Sequence, residues 1–517
     1  MKKLKLVCVA IAMACATPTL AGGLLTNTNQ HVAFDRMMSR EASIGIDGVY
    51  YNPAGVVFMS EGHHLAINWQ LAFQTRTINN DYALFTNNVN NPITPRDFKG
   101  TAFAPVIPSF QYAYNKGKWS FQASFALTGG GGKCTFDDGL GSFEKIVAET
   151  AIAACQLAGA VDQVAGAYGV PAIFSSNQCF GTEGKYSYNS YMHGRQYYYG
   201  LSAGAAYKFS DNFSAFLGVR GVYALTNYYG YVENIQVGQM PLYKVLNPAK
   251  ESSANIELSC DQSGVGFTPI IGVDYKTGRW NFSAKYEFKT RIRLKNKSVN
   301  QIPSIGNLPD NLRNAYIANG VPEAAADAIL SNPKIQGAMV ALKTQFDSKI
   351  DGAIGEYEDG KKIAGDIPAY LALGVGYSPV DAVRVNVGFH WFDDKNATSY
   401  NNRNKELKRG TLEYNAGVEV DVNKKITLST GWQNTNYGLS DEYMDDKSFV
   451  VSSNSVAIGG VYHINKKMDL NVAYFHTFYQ HKKTTETVQL TADRSKNYSS
   501  DYTRNNNVFA VGLDINF

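Results

Sequence analysis

The chain has 517 residues, with 48 Lys+Arg against 44 Asp+Glu, 13% aromatics and only 18% charged residues. This near balance of charge excludes a nucleic-acid binder, which needs a basic excess, and an acidic disordered chain. A mean hydropathy of −0.24 is too polar for a bundle of membrane helices, while 33 Tyr, 27 Phe and 47 Gly favour a sheet protein.

Residues 1–21 read as a secretory signal peptide. Lys2, Lys3 and Lys5 form its positive start, Leu6–Ala16 its apolar stretch, and Thr19-Leu20-Ala21 its cleavage end. A lipoprotein signal with Cys15 as the modified residue is the weaker alternative, since Ala12-Met13-Ala14 is a poor match to one. Cys134, Cys155, Cys179 and Cys260 remain in the exported chain, where two disulfides or free buried thiols are both open. An exported chain with no later helical span is soluble or a closed membrane barrel.

Residues 22–62 do not alternate. They are too long for a free tail and too short for a domain, and are expected to plug a bore enclosed by the rest of the chain. Asn52-Pro53-Ala54 stands near their end.

Residues 63–517 alternate with period two. Trp280, Phe282, Ala284, Tyr286, Phe288, Ile292 and Leu294 lie on one side, with Asn281, Lys285, Glu287, Arg291 and Arg293 on the other. The last segment sets Phe509, Val511, Leu513, Ile515 and Phe517 against Ala510, Gly512, Asp514 and Asn516. The second face is rich in Gly, Ser, Asn and charge, which packs a dry sandwich core badly but suits a lumen. Fourteen such segments alternate between short turns and long loops, predicting an all-β, 14-stranded antiparallel transmembrane barrel with its short turns periplasmic. Aromatics beside those turns (Trp119, Tyr207, Phe209, Phe213, Tyr275, Trp280, Tyr377) predict the inner girdle. Helices are expected inside two external loops, over 143–168 and 322–350, and loops over 129–196 and 480–506. By alternation Arg220, Lys285 and Arg384 face inward, as do Phe216 and Phe475. The cations either meet a ligand carboxylate or pair with lumen acids such as Glu287, Glu413 and Glu419.

The order of these features resembles the FadL-type long-chain fatty acid and aromatic hydrocarbon transporters. It comprises a signal peptide, a short N-terminus, an acidic stretch reduced here to Asp47, the Asn52-Pro53-Ala54 triplet, fourteen strands and a terminal Phe517. The resemblance implies an outer-membrane channel that takes up hydrophobic compounds past a plug, or hatch, to which Asn52, Pro53 and Ala54 belong. It also implies a sideways exit near a kink in the third strand. Here the candidate is Gly129, Gly130, Gly131 and Gly132, whose other reading is a flexible loop start. The expected partners are a hydrophobic small molecule, outer-membrane lipid and the barrel-assembly machinery, with no cofactor and no nucleic acid, in a monomer. No HExxH motif occurs, and no spacing links Asp393-Asp394 with His476 or His481 near the rim, so an enzyme is disfavoured. The alternative is a general porin or a surface-antigen barrel without a hydrophobic ligand.

Overall fold

A computed structural model of the chain describes residues 26–303, 306–337, 339–340, 355–491 and 494–517. The expected signal peptide, with Cys8 and Cys15, lies outside them.

Fourteen strands form the barrel wall. They are β1 Gly62–Tyr82, β2 Arg96–Lys116, β3 Trp119–Phe136, β4 Tyr186–Lys208, β5 Phe213–Val237, β6 Ile256–Thr277 and β7 Trp280–Glu287. Then come β8 Tyr370–Val380, β9 Val383–Phe392, β10 Thr411–Asn423, β11 Ile426–Asn436, β12 Ser453–Asn465, β13 Met468–Tyr479 and β14 Arg494–Asn516. Each pairs antiparallel with its neighbours, and β1 pairs with both β2 and β14, so the sheet closes without an edge. Closure is sealed at the chain end, where His63 and Phe517 exchange backbone hydrogen bonds of 2.7 and 2.9 Å.

The outer surface is apolar at alternate positions, as in Phe509, Val511, Leu217 and Phe267. Near the short turns, Trp119, Tyr207, Phe209 and Phe213 form consecutive ring contacts, and Trp280 stacks on Tyr377 at 4.3 Å. An edge-free sheet with a greasy exterior satisfies its backbone internally, as lipid demands. Among the described residues, no helix is long and apolar enough to cross a membrane.

Three expectations are corrected. The 480–506 segment is a hairpin rather than a loop, because Lys482–Thr491 folds back along the top of β14, from Lys482 opposite Tyr502 to Thr491 opposite Arg494. The glycine run lies inside β3 rather than in a loop. The alternation read along 279–295 changes phase after Phe288. There β7 is interrupted, and the ladder with β6 resumes at Lys295 opposite Ser263. Seven residues, 288–294, thus face six, 264–269. The extra residue turns Ile292 and Leu294 into the interior, both fully buried, and Arg291 and Arg293 outward.

The largest apolar core sits in the external loops, above the bore. Helix α1 is Val32–Met37, α2 Gly48–Tyr51 and α3 Gly141–Gly166; above the barrel, α3 packs Val147, Ala148, Ala151 and Cys155 against Phe85, Tyr186 and Tyr316. Glu144 fixes this helix by pairing with Arg96 and accepting from Asn88, Tyr186 and Tyr188. The second expected loop helix is interrupted, with Glu323–Leu330 followed by helical residues 333–337 and 339–340, and a further helix at Leu308–Ala318 was not expected. Residues 341–350 of that expectation lie outside the described residues. All four remaining cysteines are buried free thiols.

Candidate functional site

Between the strands, the segment from Thr26 to Met59 packs against inward-facing side chains. Space for it comes from glycines on the lumen face. A Cβ at Gly431 would lie 1.5 Å from the Met37 carbonyl oxygen, and one at Gly417 would lie 2.3 Å from it. The charges match as well. Arg36 pairs with Glu419 of β10 and bonds Asn471 and Ser429. Arg40 pairs with Asp47 at 2.7 Å and reaches Glu419 at 3.5 Å. His390 of β9 bridges Glu41 at 2.7 Å and Glu413 at 2.8 Å. Burial alone would raise the Asp47 carboxyl, but the Arg40 guanidinium holds it below its ordinary value.

The triplet closes the lower end of this segment. Asn52 donates to Asp274 of β6 at 2.6 Å, and its Oδ1 accepts from the Gly55 amide at 3.1 Å. The Pro53 carbonyl accepts from Gln122 of β3, and the Ala54 carbonyl from Ser214 of β5, both at 2.7 Å. Three strands are thereby tied to one turn.

The sequence-selected cations are committed to ion pairs. Arg220 makes a two-pronged pair with Glu287, at 2.6 and 2.9 Å. Lys285 joins Glu287 at 3.0 Å and donates to the Tyr50 carbonyl at 2.6 Å. Arg384 pairs with Glu419 and Asp421. Phe216 packs low in the bore on Ala54 and Val57. Of these five, Phe475 lines a cavity above α1, packed with Met38, Ala457 and Val508.

That cavity measures about 340 Å³, within the usual range for small-molecule sites. Its floor includes Phe34, Met38 and Phe475, and its upper wall Phe136, Phe449 and Tyr479. Its side is a break in the barrel wall. The β2–β3 ladder runs up to Ser109 opposite Ala126 and resumes at Ala102 opposite Cys134, leaving 103–108 and 127–133 unpaired with each other. Pro105 and Pro108 have no amide to donate there. Gly130 and Gly132 hold φ of +93° and +73°, and a Cβ at Gly130 would sit 2.3 Å from the Gln196 carbonyl oxygen. The start of the described chain fills the inner side of the break. The Asn27 amide donates to the Thr128 carbonyl at 3.1 Å, and its side chain donates to the carbonyls of Leu127 and Gly130. Cavity residues on both sides of the break include Phe103, Val106, Leu127 and Gly130.

Three cavity-lining cations escaped the sequence reading, Lys447 and two that face each other. Arg76 of β1 and Arg504 of β14 are direct cross-strand partners. Arg76 donates to Gln74, and Arg504 lies over the Tyr479 ring at 5.1 Å with its Nε buried and unpartnered. Among the described residues neither is ion-paired with a carboxylate. Alternation alone places Arg76 inward, but only the closing β1–β14 pairing sets it opposite Arg504.

A smaller apolar groove of about 40 Å³ lies between α3 and the tops of β4, β5 and β6, and shares Met192, Tyr228 and Lys447 with the main cavity.

The fold is that of the FadL-type channels. The chain aligns over 98% of its length with all of a Pseudomonas aeruginosa FadL homologue, at 14% identity and a TM-score of 0.59. It aligns over 96% with all of a TodX deltaS2S3 mutant monoaromatic hydrocarbon channel, at 13% identity and a TM-score of 0.55. No protein-family model matches the sequence, and no curated protein matches it. At these identities the likeness establishes the architecture, a closed 14-stranded antiparallel barrel.

Proposed function

We propose that this chain is a bacterial outer-membrane channel for uptake of hydrophobic compounds by diffusion, with Thr26–Met59 as the hatch of its bore. The observation that carries the reading is the cavity, which is apolar at floor and roof, blocked below by the hatch, and continuous with the break between β2 and β3. An oily ligand gains about 0.8 kcal/mol per buried CH₂, so it profits from the apolar floor and roof and not from a wet pore. In this reading it enters through the groove beneath α3, occupies the cavity, and leaves sideways between 103–108 and 127–133. The glycine run is the kink that keeps that exit open, and Asn52, Pro53 and Ala54 lock the hatch. Phe475 and Phe34 contact the tail.

The Arg76–Arg504 pair supports a ligand with an anionic end, such as a long-chain fatty acid. Like charges directly opposite on a sheet are unfavourable, and a carboxylate between them relieves the repulsion with charge-assisted hydrogen bonds. Arg220, Lys285 and Arg384, occupied by Glu287, Glu419 and Asp421, hold the bore together instead.

The test is binding of hexadecanoate and its methyl ester to the purified protein in non-ionic detergent. Hexadecanoate should bind about tenfold or more tighter, and R76Q/R504Q should erase that margin while ester binding persists. Equal binding of both to the unaltered protein would remove the anionic-end reading. Failure of both to bind would remove the hydrophobic channel itself.

A further inference from the structure

The bulge after Phe288 carries a row of cations to the outer wall. Arg291, Arg293, Lys295 and Lys297 occupy successive outward positions on the continuation of β7, Arg293–Gln301, and the residues just before it. Lys362, on the short strand Lys362–Ala364 above β8, stands directly opposite Lys295. Asp366 neutralises Arg293 at 2.8 Å, with Lys289 at 3.9 Å. Among the described residues, Arg291, Lys295, Lys297 and Lys362 form no ion pair, and all four are exposed.

The height of this row is set by strand geometry. From Trp280 at the inner girdle to Arg291 is eleven residues, which rise roughly 28 Å at a 40° tilt. That matches an apolar band of about 25 Å. The neighbouring surface changes character at the same level. Phe267 is 70% and Val265 63% exposed on β6, and Ser263 and Asp261 come next, opposite Lys295 and Lys297. The cations therefore begin where the lipid-facing surface ends. A like-charged cross-strand pair is unfavourable unless an anion sits on it. An anion at this height has its apolar part beside Phe267, Val265 and Phe288.

We propose that Arg291, Lys295, Lys297 and Lys362 form a binding site for the phosphate headgroup of a lipid in the surrounding leaflet, whose tails lie on the apolar surface below. The phosphate is that of a membrane lipid rather than a free ion, because the row is exposed and adjoins the outward apolar band of Phe267, Val265 and Phe288. The site rests on the membrane-barrel reading, which is judged separately by whether the protein stays in solution once detergent is withdrawn.

The experiment uses the full exported chain in non-ionic detergent, mixed with dioleoyl phosphatidic acid or dioleoyl phosphatidylcholine, with bound lipid counted by native mass spectrometry. The unaltered protein should retain about tenfold or more of the phosphatidic acid over the neutral lipid, since each surface cation adds to the attraction. Millimolar inorganic phosphate should not displace it. R291S/K295S/K297S/K362S should lose the preference, and K295R/K362R should keep it. Equal retention of the two lipids by the unaltered protein, which needs no variant to fold, would overturn the proposal. So would an undiminished preference in the fourfold variant with native gel mobility, or displacement by free phosphate.

Discussion

Asn52 and Asp274 are 222 positions apart in sequence and 2.6 Å apart in the barrel, joined by a hydrogen bond from the hatch amide to a wall carboxylate. The same Asn52 caps its own turn through the Gly55 amide. One side chain thus sets the local turn and its attachment to β6. N52A should loosen the hatch and raise ion conductance in planar bilayers above the low level expected of the intact protein. D274A should do likewise, and the double variant should show a coupling of about 0.5–3 kcal/mol in urea titration.

Glu419 gathers three arginines, two from the hatch and Arg384 from β9. Arg40 retains Asp47 and Arg384 retains Asp421 when Glu419 is neutralised, but Arg36 keeps only Asn471 and Ser429. E419Q should therefore destabilise the folded barrel by about 3 kcal/mol, the usual effect of stranding a buried charge. Urea-dependent refolding into detergent measures this.

Gly130 in the wall break is poorly able to accept a side chain, given its positive φ and the Gln196 carbonyl beside it. G130A should cost about 1–2 kcal/mol of backbone strain and reshape the break. Cellular uptake of hexadecanoate should fall while bilayer conductance stays low. Unchanged uptake would count against sideways exit.

Asp446 lies in the loop beside the cavity roof and accepts from the Ser142 amide at 2.9 Å. Burial, then the neighbouring Asp445 carboxylate, pushes its carboxyl up to about 6. The folded loop therefore binds a proton that the unfolded chain releases near its ordinary value, so its stability is fullest below about 4 and declines as pH rises through about 6. Amides of 444–450 should show lower protection, after correction for the intrinsic base-catalysed exchange rate, at pH 8 than at pH 5. D446N should flatten that difference.

Much of the barrel was legible because lipid imposes strict rules on strands. Phe509, Val511 and Phe517 had to face outward, and turns such as Asn115-Lys116-Gly117 had to be short. The glycine run was visible as a break in pattern, but its position within β3, and not in a loop, was set by pairing with β4. The 480–506 hairpin was missed because its Thr- and Lys-rich strands stand beyond the apolar band of the wall and carry no apolar alternation.

The amino-acid order alone determined the strand count, the greasy outside, the aromatic girdle and a non-alternating segment of bore-filling length, since each is a local pattern of period and composition. Only the tertiary structure decided the partners. One extra residue after Phe288 reversed which residues face outward, closure of β1 on β14 set Arg76 against Arg504, and the Thr26–Met59 segment claimed Glu419 and Asp274. Those outcomes depend on register between segments hundreds of residues apart, and alternation within a strand carries no information about register across the barrel.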